Sequence, residues 1–200
     1  MPTLWLLVAM SMVAAPTQGG LSATWVPHFQ DIGIPASTAA VSLTIYGAGS
    51  VSARFFWGFW VERFHVRRVM IPLMFMLSFS MFWLLNVESA WMAMIYSAYQ
   101  GFCQGGFVSL NPLIYPTYFG RRHVGEIQGM VQPFHTAAGA GGPFLIATVY
   151  DLTGSFRGAY TIIMFTWLIA AGLMYLAKPP RVPALPDQQL DEAKPKDAPQ

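Results

Sequence analysis

The sequence predicts an all-α polytopic membrane protein with six transmembrane helices in a 3+3 repeat. Of its 200 residues, 54% are hydrophobic and only 10% are charged, whereas soluble domains carry about 25% charged residues. Six apolar segments each have a length suited to crossing about 30 Å of hydrocarbon. They cover residues about 4–26, 37–60, 69–85, 90–115, 127–150 and 159–177. Residues 1–178 are therefore expected to form one six-helix bundle.

The first segment has an alternative interpretation as a secretory signal peptide over residues 1–20. No Lys or Arg precedes its apolar stretch, and the hydrophobicity continues to Trp25. A signal core is shorter and follows a basic region. We therefore interpret this segment as the first transmembrane helix.

Polar residues divide the six helices into two kinds. The third and sixth hold almost nothing more polar than Ser or Thr, whereas the other four carry polar stripes. Polar side chains in hydrocarbon turn toward a bundle interior or a wet cavity, although single Gln or Asn residues also simply join helices by hydrogen bonds. The stripes are Thr17, Gln18 and Ser22 in the first helix, Tyr46, Ser50 and Arg54 in the second, Gln100, Gln104 and Asn111 in the fourth, and Gln128, Gln132 and His135 in the fifth.

Two helices with polar stripes followed by one helix without a stripe thus occur twice along the chain. An internal repeat of three helices predicts this order, with the solute site near the repeat interface. Helices 1, 2, 4 and 5 are expected to line a cavity, and helices 3 and 6 are expected to lie outside them against lipid.

Arg54 is the one charged side chain deep inside an apolar segment. A charge within a bilayer is costly and normally marks a solute, ion or gating site. Its guanidinium stays charged and can hold a carboxylate by two parallel hydrogen bonds. The alternative is a side chain that extends along the helix to the membrane surface, because Glu62 at the helix end is only about 12 Å away.

His135 is the one histidine in a helix core, and it is either a packing residue or a proton-coupling group. The glycines that follow it, Gly139, Gly141 and Gly142, together with Pro143, predict either close helix packing or a local break. In the fourth helix, Gly101 and Gly105-Gly106 form a small-residue surface that indicates close packing. Cys103 has no second cysteine for a disulfide and no partner for a metal site.

The basic residues lie almost entirely in alternate connections and in the tail. Arg157 is the only Lys or Arg in the connections at 27–36, 86–89 and 151–158. The opposite side of the membrane holds nine such residues, namely Arg63, Arg67, Arg68, Arg121, Arg122, Lys178, Arg181, Lys194 and Lys196. The positive-inside rule therefore predicts that both termini are cytoplasmic. Residues 179–200 are rich in Pro and charge and are expected to form a disordered cytosolic tail.

The connection after the second helix contains the most specific motif, formed by Gly58, Glu62, Arg63, Arg67 and Arg68. A glycine near a helix end allows a neighbour to approach, and an acidic side chain just beyond can lie at another helix's positive N-terminus. The motif resembles the Gly-x-x-x-Asp-Arg-x-Gly-Arg-Arg loop between helices 2 and 3 of each half of the major facilitator superfamily. Here Glu62 stands for Asp, His65 stands for the second Gly, and the basic pair is displaced by one position.

Three further motifs resemble the monocarboxylate-transporter and oxalate:formate-antiporter branch of that superfamily. They are Ala53-Arg54 before Gly58, the stretch from Tyr150-Asp151 to Ser155, and the loop Tyr118-Phe-Gly-Arg121-Arg122. The resemblance implies that Arg54 handles an anion. Ser50 stands where some members have an acidic residue one turn before that arginine, and His135 is the nearest equivalent of the second cation of oxalate:formate antiporters.

The predicted function is secondary active transport of a small organic anion, a monocarboxylate or dicarboxylate, with or without a coupled proton. Alternating access between two six-helix halves is the mechanism that the resemblance implies, so the chain is expected to need a second half. Met1 would then begin either a truncated reading frame or a half-size protein that pairs. The predicted cavity residues are Arg54, His135, Gln132, Gln104, Asn111 and Tyr46.

Other functions are weighed against transport. A receptor or scaffold with the same fold is one alternative. A rhomboid-like intramembrane protease with Ser50 and His135 is another, although Gly47-Ala-Gly-Ser50 lacks the following glycine of such motifs. The preferred interpretation is a multi-pass cell-membrane protein that is not an enzyme. It predicts the lipid bilayer and the solute as partners, and no cofactor, metal or nucleic acid.

Overall fold

A computed structural model describes residues 2–120 and 124–177, which form six α-helices. The helices are α1 (Pro2–Asp31), α2 (Ala36–Arg63), α3 (Val66–Leu84), α4 (Ala90–Phe119), α5 (Val124–Thr153) and α6 (Phe156–Leu176). Each overlaps one predicted apolar segment, and most extend beyond it by a turn. Arg121, Arg122 and the tail at 179–200 lie outside the described residues, so the predictions made for them stay predictions.

Helix ends are set by local sequence. Gly33 follows α1 with a φ of 84°, and Gly120 follows α4 with a φ of 79°, a region of backbone conformation that favours glycine. At Gly33 the Ile34 N–H donates to the Phe29 carbonyl at 2.9 Å, so the last turn of α1 closes in a Schellman-type pattern. Both glycines end the first helix of a three-helix unit, as a repeat predicts.

The helix packing has the pairwise pattern of a 3+3 repeat. Helix α1 packs on α5 and α6, α4 packs on α2 and α3, and α3 packs on α6. Exchanging α1 with α4, α2 with α5 and α3 with α6 leaves this set of neighbours unchanged. The predicted all-α fold with two equivalent three-helix units is therefore confirmed.

Two of these helix pairs, α1–α5 and α2–α4, are in backbone contact. A Cβ atom at Gly142 would collide with the Pro16 carbonyl of α1, and one at Gly105 would collide with the Ser50 carbonyl of α2. Gly101 lies equally close to the backbone of Tyr46. The predicted close packing of both glycine-rich segments is confirmed, and α5 continues through Pro143 without the local break that was the alternative.

Hydrophobic side chains cover much of the outside of the bundle. Phe75, Phe79 and Phe82 on α3 are each at least half exposed, and Phe165 on α6 is 54% exposed. The opposite face of α3 is fully buried through Met70, Leu73, Leu77 and Met81 among others. A soluble monomer rarely exposes apolar patches of this extent, so this outer surface fits a lipid environment.

Three helices in the described residues are long and apolar enough to cross a membrane by length and composition. Their candidate spans are Thr3–Leu21, Val66–Leu84 and Phe156–Leu176. Two of them are α3 and α6, the helices predicted to face lipid. The helices α2, α4 and α5 are longer, at 28, 30 and 30 residues. Their polar residues and glycines lower their mean hydropathy.

The close contact between α1 and α5 gives a matched pair of glycine variants. We expect Gly142→Ala to lower the unfolding temperature in detergent, because the new methyl group meets the Pro16 carbonyl and such overpacking costs about 1–3 kcal/mol. Gly141→Ala on the same helix meets nothing within 4 Å, so its better helix propensity should leave stability unchanged or raised. Equal unfolding temperatures for the two variants would contradict this packing.

Candidate functional site

Helices α1, α4 and α5 enclose a polar cavity of about 110 Å³. The Ser11 hydroxyl lies 3.1 Å from the Tyr115 hydroxyl and donates to the Asn111 carbonyl oxygen at 3.4 Å. Gln128, Gln132 and His135 of α5 complete its polar lining. We call this the Asn111 cavity, and its surfaces offer neutral hydrogen-bond donors and acceptors.

A second, smaller cavity lies about two turns farther along α1. Thr17, Gln18, Tyr46 and Gln104 border its volume of about 30 Å³, so residues of α1, α2 and α4 meet there. We call it the Gln104 cavity. The Gln18 amide nitrogen lies 3.5 Å from Nε2 of His135, and this contact joins the two cavities.

Buried polar atoms beside the Gln104 cavity lack hydrogen-bond partners within residues 2–120 and 124–177. Gln100 is fully buried with both amide atoms unpaired, and Gln104 is 4% exposed with an unpaired carbonyl oxygen. The others are Thr17 Oγ1, Trp25 Nε1 and the Tyr96 hydroxyl. Each such group costs about 1–3 kcal/mol when it is left unsatisfied. This polar interior is therefore suited to contact water or a polar solute.

Arg54 borders neither cavity, but it lies on the α2 side that faces α1. At 100° per residue, Arg54 is about 20° from Leu43 around the helix, and Leu43 borders the Gln104 cavity. Phe56, which faces the opposite side of α2, is about 160° from Arg54. Arg54 is exposed and makes no hydrogen bond or ion pair with the described residues. Its charge therefore remains open to a partner beside the polar surface.

The predicted cavity residues thus fall into three places. Asn111, Gln132 and His135 share the Asn111 cavity, Tyr46 and Gln104 share the Gln104 cavity, and Arg54 stands apart on α2. Sequence reasoning missed Ser11 and Tyr115. Ser11 lies seven residues before Gln18 and Tyr115 lies four residues after Asn111, so their helical spacing was the available signal.

The arginines of the connection after α2 have separate contacts. Arg63 lies over the Phe59 ring at 4.5 Å, and Arg67 donates to the Tyr175 carbonyl oxygen of α6. Glu62 forms no ion pair with the described residues, and a Cβ at Gly58 would meet nothing within 4 Å of them. Among the described residues, Arg67 therefore joins the first turn of α3 to the end of α6, and Gly58 of α2 has open space beside it.

A third cavity of about 550 Å³ lies at the other end of the bundle, where α1, α5 and α6 meet. Asp31, Glu88 and Arg157 place charges around it, and His28 is 6% exposed at its wall. Burial lowers the pKa of His28 to about 4, although the nearby Asp31 carboxylate partly opposes the shift. His28 is therefore neutral at physiological pH, with its ring packed edge-on against Tyr160.

Metal-ligand residues are not clustered in the described part of the chain. No group of three or more His, Cys, Asp or Glu side chains there could hold a metal ion. The residues that line the two polar cavities offer amide, hydroxyl and imidazole groups.

Comparison with known families gives one match. The family model described as Major Facilitator Superfamily matches residues 6–198, which is nearly the whole chain. Comparison with curated proteins gives no match.

The buried His28 predicts a pH dependence of stability. Its folded-state pKa of about 4 is below the ordinary value of 6.5, so the unfolded chain binds more protons between these values. The stabilisation is complete above pH 6.5 and is lost as pH falls toward 4, by at most about 1.4 kcal/mol per pH unit. We expect His28→Gln to flatten the fall of unfolding temperature across this window.

His65→Gln is the matched control, because His65 is exposed in the connection between α2 and α3. It should leave the pH profile of the unfolding temperature as it is in the wild type. Parallel profiles for the wild type and His28→Gln would contradict a neutral, buried His28.

Proposed function

The chain belongs to the major facilitator superfamily and is a multi-pass membrane transport protein, and we propose that its solute is a small organic anion. The anion that we propose is a monocarboxylate or a dicarboxylate. The observation that carries it is the exposed Arg54, which has no partner among the described residues and lies on the same side of α2 as Leu43 of the Gln104 cavity. A permanent cation in that position is suited to a carboxylate.

The neutral residues of the two cavities support the same chemistry. Once a carboxylate is bound to Arg54, the amides of Gln104, Asn111 and Gln132 offer donors and acceptors to the rest of the solute. Their exposure differs, since Gln104 is buried and Gln132 is exposed. We propose that these groups select the solute by its polar substituents, while Arg54 supplies the attraction to its charge.

Alternating access is the proposed mechanism, with this bundle rocking against a second six-helix half. The backbone contacts of α1 with α5 and of α2 with α4 favour movement of these pairs as rigid units. The second half is either another part of a longer protein or a second copy of this chain. The distribution of arginines supports the proposal that both termini face the cytoplasm.

The geometry offers no support for the protease alternative. Ser50 lies on α2 against Gly105 of α4, whereas His135 of α5 contacts Gln18. No hydrogen bond joins Ser50 to His135 among the described residues, so a serine–histidine dyad is not formed there. A receptor with the same fold would bind the anion without moving it, and a transport measurement separates these two functions.

Arg54→Gln tests the proposed anion contact. We expect carboxylate uptake into proteoliposomes to fall about ten- to hundredfold, because a hydrogen-bonded charge contributes about 1.5–3 kcal/mol. Labelled lactate, oxalate and formate are the solutes, assayed with the complete twelve-helix assembly. Arg54→Lys should retain part of the activity, since it keeps the charge but loses the two-pronged geometry.

Arg157→Gln is the matched control, because Arg157 is an exposed arginine at the distant end cavity. Its uptake should equal that of the wild type. Unchanged carboxylate uptake by Arg54→Gln would refute the role proposed for Arg54.

His135→Asn tests whether a proton accompanies the anion. His135 lines the Asn111 cavity and contacts Gln18 of the Gln104 cavity. A change in its charge would therefore alter the electrostatic potential in both cavities. If it carries the coupled proton, the variant should lose accumulation driven by a pH gradient but keep exchange of internal for external solute. His65→Asn is the matched control, because His65 is exposed in the connection between α2 and α3, and it should keep both activities. Equal accumulation by His135→Asn and the wild type would exclude the coupling role.

A further inference from the structure

The outer surface between α2 and α3 contains an apolar groove of about 400 Å³. Its walls include Phe56 and Trp60 of α2, Phe64 just after that helix, Pro72 and Met76 of α3, and Phe102 of α4. We call it the aromatic groove. Helix α2 packs mainly on α4, and α3 packs on α6 and α4, but α2 and α3 barely contact each other. The space between them therefore stays open to the outside of the bundle.

The walls of the aromatic groove are ordered by ring contacts. Trp60 stacks on Phe64 at 5.3 Å between centroids, and Phe56 contacts Phe102 at 5.1 Å. The floor is held by a hydrogen bond from Trp57 Nε1 to the Phe102 carbonyl oxygen at 3.1 Å. Because these rings hold one another in place, the groove is a preformed channel whose α2 wall runs about 12 Å from Phe56 to Phe64.

Arg68 lies at one end of the groove, in the first turn of α3. It is exposed, and its side chain has no hydrogen-bond or ion-pair partner in the part of the chain that the structure describes. The neighbouring arginines are engaged elsewhere, Arg63 with Phe59 and Arg67 with Tyr175. The groove therefore has an apolar channel and a single open cation at its end.

The N-terminus of α3 adds to this positive end. His65 is the N-cap residue and makes no side-chain capping hydrogen bond. Unsatisfied backbone N–H groups and the helix dipole attract an anion at such a position. A ligand that fills the whole site must therefore combine a hydrocarbon chain, which lies in the groove, with an anionic head, which lies beside Arg68 and the first turn of α3.

We propose that the aromatic groove binds one acyl chain of an anionic phospholipid, with the phosphate of the headgroup against Arg68. The orientation agrees with the charge distribution, since the connection that holds Arg63, Arg67 and Arg68 is the most basic described segment and basic segments between helices attract anionic lipids. A lipid in this place bridges α2 and α3, the two helices that barely contact one another directly. The site is separate from the polar cavities, so the proposal holds whatever solute is transported.

Native mass spectrometry of the protein in mixed micelles tests the site. Equimolar phosphatidylglycerol and phosphatidylcholine with identical acyl chains serve as probes. We expect the wild type to retain phosphatidylglycerol about tenfold more than phosphatidylcholine. Both lipids carry a phosphate, but only phosphatidylglycerol has a net negative charge, because the choline ammonium offsets the phosphate of the other. Arg68→Gln should remove this preference, and Arg68→Lys should restore most of it.

Arg63→Gln is the matched control, because it removes an arginine of the same connection that lies outside the groove lining. It should keep the preference for phosphatidylglycerol. Met76→Trp, which fills the channel, should reduce retention of both lipids, and an unfolding temperature near that of the wild type confirms that it folds.

Three results would overturn the proposal. The first is equal retention of the two lipids by the wild type, and the second is an equal loss of preference in Arg63→Gln and Arg68→Gln. The third is unchanged retention of both lipids by a folded Met76→Trp variant, because an acyl chain in the groove would be displaced by the larger side chain.

Discussion

Close backbone contact between helices is the constraint on which the rest of the structure depends. In hydrocarbon there is no hydrophobic drive between helices, so association relies on packing and on interhelical hydrogen bonds. Glycines at Gly105 and Gly142 bring α4 against α2 and α5 against α1 with no side chain between the backbones. These two contacts are equivalent under the internal repeat, and they fix where the polar stripes of the four helices lie.

The same contacts explain why the polar groups occupy two small cavities rather than one large one. With α1 held against α5, Gln18 reaches His135, and the space that remains is divided between the Asn111 cavity and the Gln104 cavity. Gln100 and Tyr96 are buried beside the second cavity without partners among the described residues. A bundle with this much unsatisfied polarity is suited to admit water or solute, which is the work of a transport protein.

The fold could be predicted from the sequence because each signal came from local chemistry. Segment length predicted the six helices, and the near absence of residues more polar than Ser or Thr from 69–85 and 159–177 predicted α3 and α6 as the outer helices. Gly101 and Gly105 predicted close packing by their spacing. The break considered at Pro143 does not occur, since α5 is continuous from Val124 to Thr153 with Gly142 packed against α1.

The candidate site was predicted less completely, because it depends on which turns of different helices are level with one another. Periodicity placed Asn111, Gln132 and His135 on inward faces, but it gave no relation between helices. Ser11 and Tyr115 were missed for this reason, and Arg54 was grouped with residues that it does not contact in the described structure. The aromatic groove was missed too, since its residues come from three helices.

We place Arg54 of α2 and Gln132 of α5 on surfaces that face water, and the outer faces of α3 and α6 against lipid. Cysteine labelling in membranes tests this division. The one native cysteine, Cys103, is fully buried, so single replacements report on their own positions. We expect Arg54→Cys and Gln132→Cys to react with a charged, membrane-impermeant thiol reagent. Phe79→Cys and Phe165→Cys, in place of side chains that are each 54% exposed on the outer helices, should react only with a lipid-soluble one. Reaction of all four with the charged reagent, or of the outer pair alone, would show that this division is wrong.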